Sequence, residues 1–157
     1  MNLTHESETI ERPAFHYAFL EARGLFSEVA PPLWGELPPL LPQLDPASIR
    51  EYLGLSGMDN TKSGPESMVY QAGVSLAHRP EGLPAKMQYR HAPGGKYARF
   101  LLTGPYTQIG MAFDHIFKTL AEKKVEMRPE FCIENYLNDP RTTPVEELRT
   151  EILIPID

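Results

Sequence analysis

A glutamate at the centre of a short aromatic-rich segment is the residue with the clearest chemical potential in this sequence. Residues 131–137 alternate between two faces if they form a strand, and Cys132, Glu134 and Tyr136 then share one face. A carboxylate with apolar and aromatic neighbours attracts cations more strongly than one in water, because its surroundings are less polarisable. We therefore predict that Glu134 anchors a cationic ligand. The alternative is a solvated glutamate on a half-exposed strand.

Aromatic residues are the second group that points to ligand binding. Face-on aromatic rings hold flat or cationic molecules by stacking and cation–π attraction, worth roughly 0.5–2 kcal/mol each. Phe26 and Phe113 are also well explained as core residues, whereas tryptophan and tyrosine carry polar groups that need partners. The aromatic residues near the predicted helix starts and third strands are Phe26, Trp34, Tyr52, Tyr106, Phe113 and Tyr136.

The sequence motifs of the common metal and nucleotide sites are absent. The five histidines show no spacing typical of metal ligands, and the single cysteine, Cys132, excludes an internal disulfide and a multi-cysteine zinc site. Neither a dinucleotide-binding loop, a phosphate-binding loop nor a G-x-S-x-G motif occurs. We expect no cofactor and no metal, and the catalytic residues of any enzyme remain unassigned. Cys132 is interpreted as a small buried residue on the face of Glu134.

Composition restricts the possible partners. The chain has 157 residues, of which 41% are hydrophobic and 23% charged, values typical of one globular domain. Its net charge is −6 and its lysines and arginines are scattered, which argues against direct binding of nucleic acid. No apolar run is long enough to span a membrane, and residues 1–11 lack the apolar centre of a signal peptide. The expected location is the cytoplasm.

An internal repeat determines the predicted fold. Shifting the sequence by 80 residues aligns residues 24–30 with residues 104–110 conservatively, and it matches Tyr17 with Tyr97 and Asp59 with Asp139 without a gap. Such self-similarity indicates duplication of one supersecondary unit. We predict a single α+β domain over residues 1–157, with half-repeats at about 11–77 and 91–157 and a linker at about 78–90.

Each half is predicted to run strand, helix, strand, strand, giving a largely antiparallel sheet with two main helices and approximate two-fold symmetry. An extra strand at residues 87–91 is expected to precede the second half. The predicted elements cover residues 16–22, 50–56 and Met68–Leu76 as strands of the first half, and residues 96–103, 130–137 and 149–156 as those of the second.

The helices are predicted from apolar residues spaced three to four apart. In the second half these are Ile109, Phe113, Phe117 and Leu120, and the equivalent positions of the first half are also apolar. Pro31 and Pro32 are tolerable in a first helical turn, and Pro38-Pro39 should end or kink the helix. A capping box from Thr143 to Glu146 is expected to open a short helical turn before the last strand.

The repeat also brings first-half residues to the predicted ligand site. Tyr52, Gly54 and Ser56 occupy the positions equivalent to Cys132, Glu134 and Tyr136. Glu134 is therefore expected to lie opposite Gly54 across the pseudo-two-fold axis, where the missing side chain leaves space. The predicted ligand-binding residues are Trp34, Tyr52, Gly54, Tyr106, Phe113, Cys132, Glu134 and Tyr136.

Several of these segments resemble the GyrI-like effector-binding family. The resemblance rests on residues 134–144, on residues 149–155, on Lys96-Tyr97-Ala98, and on Gly104-Pro105-Tyr106 leading into a helix. It implies a duplicated strand-helix-strand-strand fold, a groove on the pseudo-two-fold axis and a glutamate in an E-x-Y motif, here Glu134 and Tyr136. In multidrug-sensing relatives that acid meets hydrophobic cations.

Three functions remain open at this point. The first is a stand-alone binding protein for a small hydrophobic, aromatic or cationic ligand. The second is a small hydrolase of electrophilic ligands that uses Glu134 and aromatic hydroxyls, as some relatives open strained rings. The third is a gyrase-inhibitory type of modulator with a protein partner. A DNA-binding regulator is not expected, because only about a dozen residues precede the first predicted strand, too few for a helix-turn-helix.

Overall fold

The computed structural model describes residues 1–4 and 6–157, in which two main helices and nine strands are formed. The chain divides into two compact units: unit 1 contains residues 1–12 and 95–157, and unit 2 contains residues 13–94. In chain order the elements are β1 (Asn2–Leu3), β2 (Glu8–Arg12), β3 (Phe15–Arg23), α1 (Phe26–Glu36), β4 (Ile49–Met58), β5 (Met68–Leu76), β6 (Gln88–Ala92), β7 (Gly95–Thr103), α2 (Ile109–Glu122), β8 (Cys132–Tyr136) and β9 (Arg149–Pro155).

Unit 2 is an antiparallel sheet in the order β6-β3-β5-β4 with α1 on one face. The helix buries Leu33, and Leu37 just after its end is buried in the same cluster. Both leucines belong to a core with Tyr70 and Ala72 of β5. Alternation along β5 directs its even-numbered side chains from Tyr70 to Leu76 to this helix-covered face, since all of them belong to that core.

Unit 1 has the same architecture. Strands β1 and β2 both pair with β7, which pairs with β9, which pairs with β8, all antiparallel. Helix α2 buries Ala112, Ile116 and Leu120 against a core that includes Phe100 of β7 and Ile152 of β9. The apolar periodicity of α2 is thus confirmed, since Leu120 is buried and Ile109 and Phe113 pack against this core as predicted.

The register confirms the duplication at an offset of 80. Gly54 pairs with Ala72 in unit 2, and at the equivalent place in unit 1 Glu134 pairs with Ile152. Gly24 and Gly104 both end the first strand of a half with nearly the same backbone angle, φ 145° and 143°. Residues with a side chain rarely adopt this conformation, so both halves require glycine at this turn. The predicted fold class is therefore correct.

The two halves exchange one strand, which the sequence did not reveal. Strand β6 was predicted at residues 87–91, directly before the second half. It pairs with β3 of the first half, whereas β2 pairs with β7 of the second. Only Pro13-Ala14 and Pro93-Gly94 separate each exchanged strand from the next strand in the chain. A two-residue hairpin needs a positive φ at its first loop residue, and proline cannot adopt it. The chain therefore crosses into the other unit instead of folding back.

Three local predictions were wrong. Helix α1 begins at Phe26, so Pro31 and Pro32 lie inside it rather than in its first turn. Both prolines are on the exposed side of the helix, where water can bond the backbone carbonyl groups that receive no N–H from them. The turn before β9 has Pro144 at its cap and no side-chain cap hydrogen bond, so the capping box does not form. Phe117 of α2 is 39% exposed and lies outside the buried stripe.

Candidate functional site

Glu134 is buried on the helix-covered face of the sheet in unit 1. It lies on β8, and its partner across the ladder is Ile152, a member of the core beneath α2. Cross-strand partners place their side chains on the same face, so Glu134 points to this core side. Only 5% of the residue is exposed, which excludes a solvated glutamate on a half-exposed strand.

Burial dominates the electrostatics of this carboxyl group. Desolvation raises the pKa of Glu134 to about 7, and a hydrogen bond from the Tyr136 hydroxyl to Oε1, 3.2 Å long, opposes that rise. Among residues 1–4 and 6–157 no lysine or arginine pairs with it. A carboxyl group in this state is half protonated near neutral pH and lacks a counter-charge.

Two tyrosines are associated with this carboxyl group, Tyr136 by its hydrogen bond and Tyr106 by packing against Tyr136. The ring of Tyr106, just after the Gly104 turn, meets the ring of Tyr136 edge to face with centroids 5.2 Å apart. The Tyr106 hydroxyl is buried and has no hydrogen-bond partner among the described residues. Desolvation and the nearby charge of Asp139 raise the pKa of Tyr106, so its hydroxyl keeps its proton. The structure thus brings together Glu134, Tyr136 and Tyr106 of the predicted site.

Cys132 lies on the same face of β8 as Glu134, but its thiol is unreactive. It is buried in the core beneath α2, and desolvation together with the neighbouring Glu134 raises the pKa of its thiol to about 12. The thiolate is the reactive form of cysteine, so this thiol is not a nucleophile near neutral pH. Phe113 is also part of the packing: it lies against the same core, with its ring 5.7 Å from that of Phe117.

The remaining predicted residues lie in unit 2. The Trp34 indole N–H donates a 2.8 Å hydrogen bond to the Tyr70 hydroxyl, so its polar group has a partner within its own unit. Tyr52 on β4 is 45% exposed. Gly54, on the same strand, is buried and pairs with Ala72 of β5. Their assignment to the ligand site, like that of Phe113, stays a prediction.

Thr150 is a residue that sequence reasoning missed. It lies on β9 as the cross-strand partner of Tyr136, it is completely buried, and its hydroxyl has no partner among the described residues. The repeat offered a signal, because an offset of 80 places Thr150 on Tyr70, whose hydroxyl is hydrogen-bonded. A small polar residue in a core position that is aromatic in the other half marks a local change of chemistry.

A family model matches residues 5–157 and describes a GyrI-like small-molecule binding domain. This chain belongs to the GyrI-like family. The family description makes it a small-molecule binding domain, and the duplicated fold agrees with the resemblance noted in the sequence. A search of curated proteins finds no match.

Solved structures share the GyrI-like fold at low sequence identity. The C-terminal domain of EcmrR is 14% identical with a TM-score of 0.78, covering 100% of this chain and 99% of that one. SAV2435 bound to tetraphenylphosphonium is 15% identical with a TM-score of 0.72, covering 97% and 94%. A hydrolase from Listeria innocua is 12% identical with a TM-score of 0.58, covering 98% and 93%. These similarities establish the fold alone.

The described residues of this GyrI-like chain show neither a metal cluster nor a membrane helix. Within residues 1–4 and 6–157, no three histidine, cysteine, aspartate or glutamate side chains are grouped so that they could hold a metal ion. Over the same residues, no helix combines the length and the apolar character needed to cross a membrane.

Proposed function

We propose that this chain binds an organic cation with aromatic or other hydrophobic groups, and that Glu134 is its charge partner. The observation that carries this proposal is a buried carboxyl group with no cationic neighbour among the described residues and a pKa of about 7. A buried charge without a partner is unfavourable, so the free protein holds this group partly protonated. A cationic ligand supplies the missing partner.

The aromatic rings beside Glu134 support an organic rather than a hydrated inorganic cation. Tyr136 donates its hydroxyl to the carboxyl oxygen, and Tyr106 packs against Tyr136, so apolar ring surface adjoins the acid. Aromatic surface attracts cations through the negative face of the ring and excludes water from the contact. Tetraphenylphosphonium, present in the structure of SAV2435, combines a delocalised positive charge with four phenyl rings and is the natural first probe.

Calorimetry with two ions of the same shape and opposite charge tests this proposal. Glu134→Gln keeps the shape of the side chain and removes its charge. Loss of a desolvated charge partner costs about 2–5 kcal/mol, so the affinity for tetraphenylphosphonium should fall at least roughly thirtyfold. Tetraphenylborate should bind the wild type weakly and bind Glu134→Gln no worse.

Glu122→Gln is the matched control. It makes the same charge change on an exposed residue at the end of α2 in the same unit, and it should leave both affinities unchanged. Equal losses for Glu134→Gln and Glu122→Gln would mean that only net charge matters. Unchanged tetraphenylphosphonium affinity in Glu134→Gln would contradict the proposal.

A second candidate is hydrolysis of an electrophilic ligand by the same carboxyl group. The favouring observation is that Glu134 has a pKa of about 7 and lies 3.2 Å from the Tyr136 hydroxyl, since a general base works best with a pKa near the working pH. Incubation with styrene oxide distinguishes the two. Hydrolysis converts it to the diol by addition of one water, and Glu134→Gln should abolish this, whereas a binding protein returns the epoxide unchanged.

A further inference from the structure

The Tyr106 hydroxyl points to a second requirement on the ligand. We propose that the bound cation also carries a hydrogen-bond acceptor, such as a carbonyl or ether oxygen, which receives the proton of the Tyr106 hydroxyl. This inference rests on the proposed function of the Glu134 site and specifies the ligand class further. Tyr106 is then a specificity-determining residue that selects among organic cations.

A buried hydroxyl without a partner is uncommon and unfavourable. Leaving such a group unsatisfied costs about 1–3 kcal/mol, so native proteins pair nearly all of them. The Tyr106 hydroxyl oxygen is buried and lacks any partner among the described residues, although the residue as a whole is only half-buried. Its unsatisfied state in the free protein makes hydrogen bonding to a ligand favourable.

The other half of the chain shows that packing does not need this hydroxyl. The position equivalent to Tyr106 is Phe26, which follows Gly24 as Tyr106 follows Gly104. The Phe26 ring packs against the core of unit 2, with its centroid 6.2 Å from that of Tyr70. The equivalent turn therefore packs well with a ring that has no hydroxyl. The hydroxyl of Tyr106 is not needed for packing and adds only a polar group.

The position of Tyr106 relates the acceptor to the charge. Its ring touches the ring of Tyr136, and Tyr136 in turn donates to Glu134. One pair of packed rings thus connects the Tyr106 side chain with Glu134, so a single aryl-substituted cation can present an acceptor to Tyr106 and its charge to Glu134. An acceptor in the para position of an aryl substituent on a cationic centre matches this arrangement.

Thr150 carries a second buried hydroxyl that has no partner among the described residues, and it provides a control. Both hydroxyl oxygens are buried, but Thr150 is completely buried on β9 whereas part of the Tyr106 residue is accessible, so we assign the ligand contact to Tyr106 alone. Thr150→Val keeps the shape and removes the hydroxyl, just as Tyr106→Phe does. Only the tyrosine substitution should change ligand preference.

The test compares tetraphenylphosphonium with (4-acetylphenyl)triphenylphosphonium, which differs by one para acetyl group whose carbonyl oxygen is the acceptor. Calorimetry on the wild type should give a higher affinity for the acetyl compound. Tyr106→Phe should lower the affinity for the acetyl compound about fivefold, the value of one net hydrogen bond, and leave tetraphenylphosphonium unchanged. Thr150→Val should leave the ratio of the two affinities as in the wild type.

The outcomes separate this inference from the proposed function. If Glu134→Gln weakens both phosphonium ions but Tyr106→Phe weakens both equally or neither, the acceptor requirement is wrong and the cation site stands. If Glu134→Gln weakens neither ion, or if neither binds the wild type, the cation site itself is wrong and the inference falls with it. A loss confined to the acetyl compound in Tyr106→Phe would establish the hydroxyl as the acceptor's partner.

Discussion

The two halves of the chain share one backbone but differ in the chemistry of equivalent core positions. Where unit 2 has Gly54 beside Ala72, unit 1 has Glu134 beside Ile152 in the same register. Where the Tyr70 hydroxyl of unit 2 accepts a hydrogen bond from Trp34, the equivalent Thr150 of unit 1 has an unpaired hydroxyl, and Asp114 replaces the tryptophan. At these equivalent positions the Tyr70 hydroxyl has a hydrogen-bond partner, whereas the Thr150 hydroxyl has none among the described residues.

Under the proposed function, this difference identifies unit 1 as the half that is specialised for binding. Duplicated halves begin with the same packing requirements, so a departure that costs stability needs another explanation. Burying an acid without a counter-charge and leaving hydroxyls unpaired are both unfavourable. Proteins retain such features mainly at functional sites, where a ligand completes the interactions. In unit 2 the equivalent positions pack without a buried acid, whereas unit 1 has these unfavourable groups around Glu134.

The largest expected effect is on stability and follows from the pKa of Glu134. Its folded-state pKa of about 7 exceeds the ordinary 4.5, so the folded protein binds the proton more tightly than the unfolded chain does. Stability is therefore lost as pH rises from about 4.5 to about 7, by roughly 3 kcal/mol. Glu134→Gln should remove this loss and raise the free energy of unfolding at pH 8, with little change at pH 4.5.

Urea denaturation at both pH values measures this effect. Glu122→Gln, which changes an exposed glutamate, should behave as the wild type at each pH. A Glu134→Gln protein that is no more stable than the wild type at pH 8 would show that the buried acid costs nothing, and the contrast between the halves would lose its energetic meaning.

Removing the hydroxyl at two equivalent positions, Tyr70 and Thr150, should change the stability of the protein in opposite directions. Tyr70→Phe removes the acceptor of the Trp34 indole N–H in unit 2 and should destabilise the protein by about 1 kcal/mol. Thr150→Val at the equivalent position of unit 1 removes an unpaired buried hydroxyl and should stabilise it by a similar amount. Thermal unfolding of both variants measures the pair, and losses of stability in both would contradict the account.

Much of the fold was predictable because it depends on local pattern. Alternation, the apolar spacing of the helices and the glycines before them are local signals, and the repeat made each half support the other. The exchange of β2 and β6 was not predictable from these signals. It depends on which distant strand each of them pairs with, and local sequence pattern does not determine that. The N-terminal strands were missed because they are short and largely polar.

The candidate site was predictable only in part. Alternation placed Glu134 and Tyr136 on one face, and the repeat set Glu134 against Gly54. Neither pattern tells how deeply a carboxyl group is buried or whether a hydroxyl finds a partner, because both depend on packing by residues distant in sequence. The raised pKa of Glu134 and the unpaired hydroxyls of Tyr106 and Thr150 therefore emerge only from the three-dimensional structure.

In the proposed function a cation replaces the proton on Glu134, so binding of the cation should release that proton. With a pKa of about 7, Glu134 is mostly protonated at pH 6 in the free protein, and a bound cation should keep it ionised. Calorimetry of tetraphenylphosphonium binding at pH 6, in two buffers with different ionisation enthalpies, should show release of nearly one proton by the wild type and none by Glu134→Gln. The wild-type affinity should also rise about tenfold between pH 6 and pH 8. Binding without proton release, or with the same release in Glu134→Gln, would contradict the account.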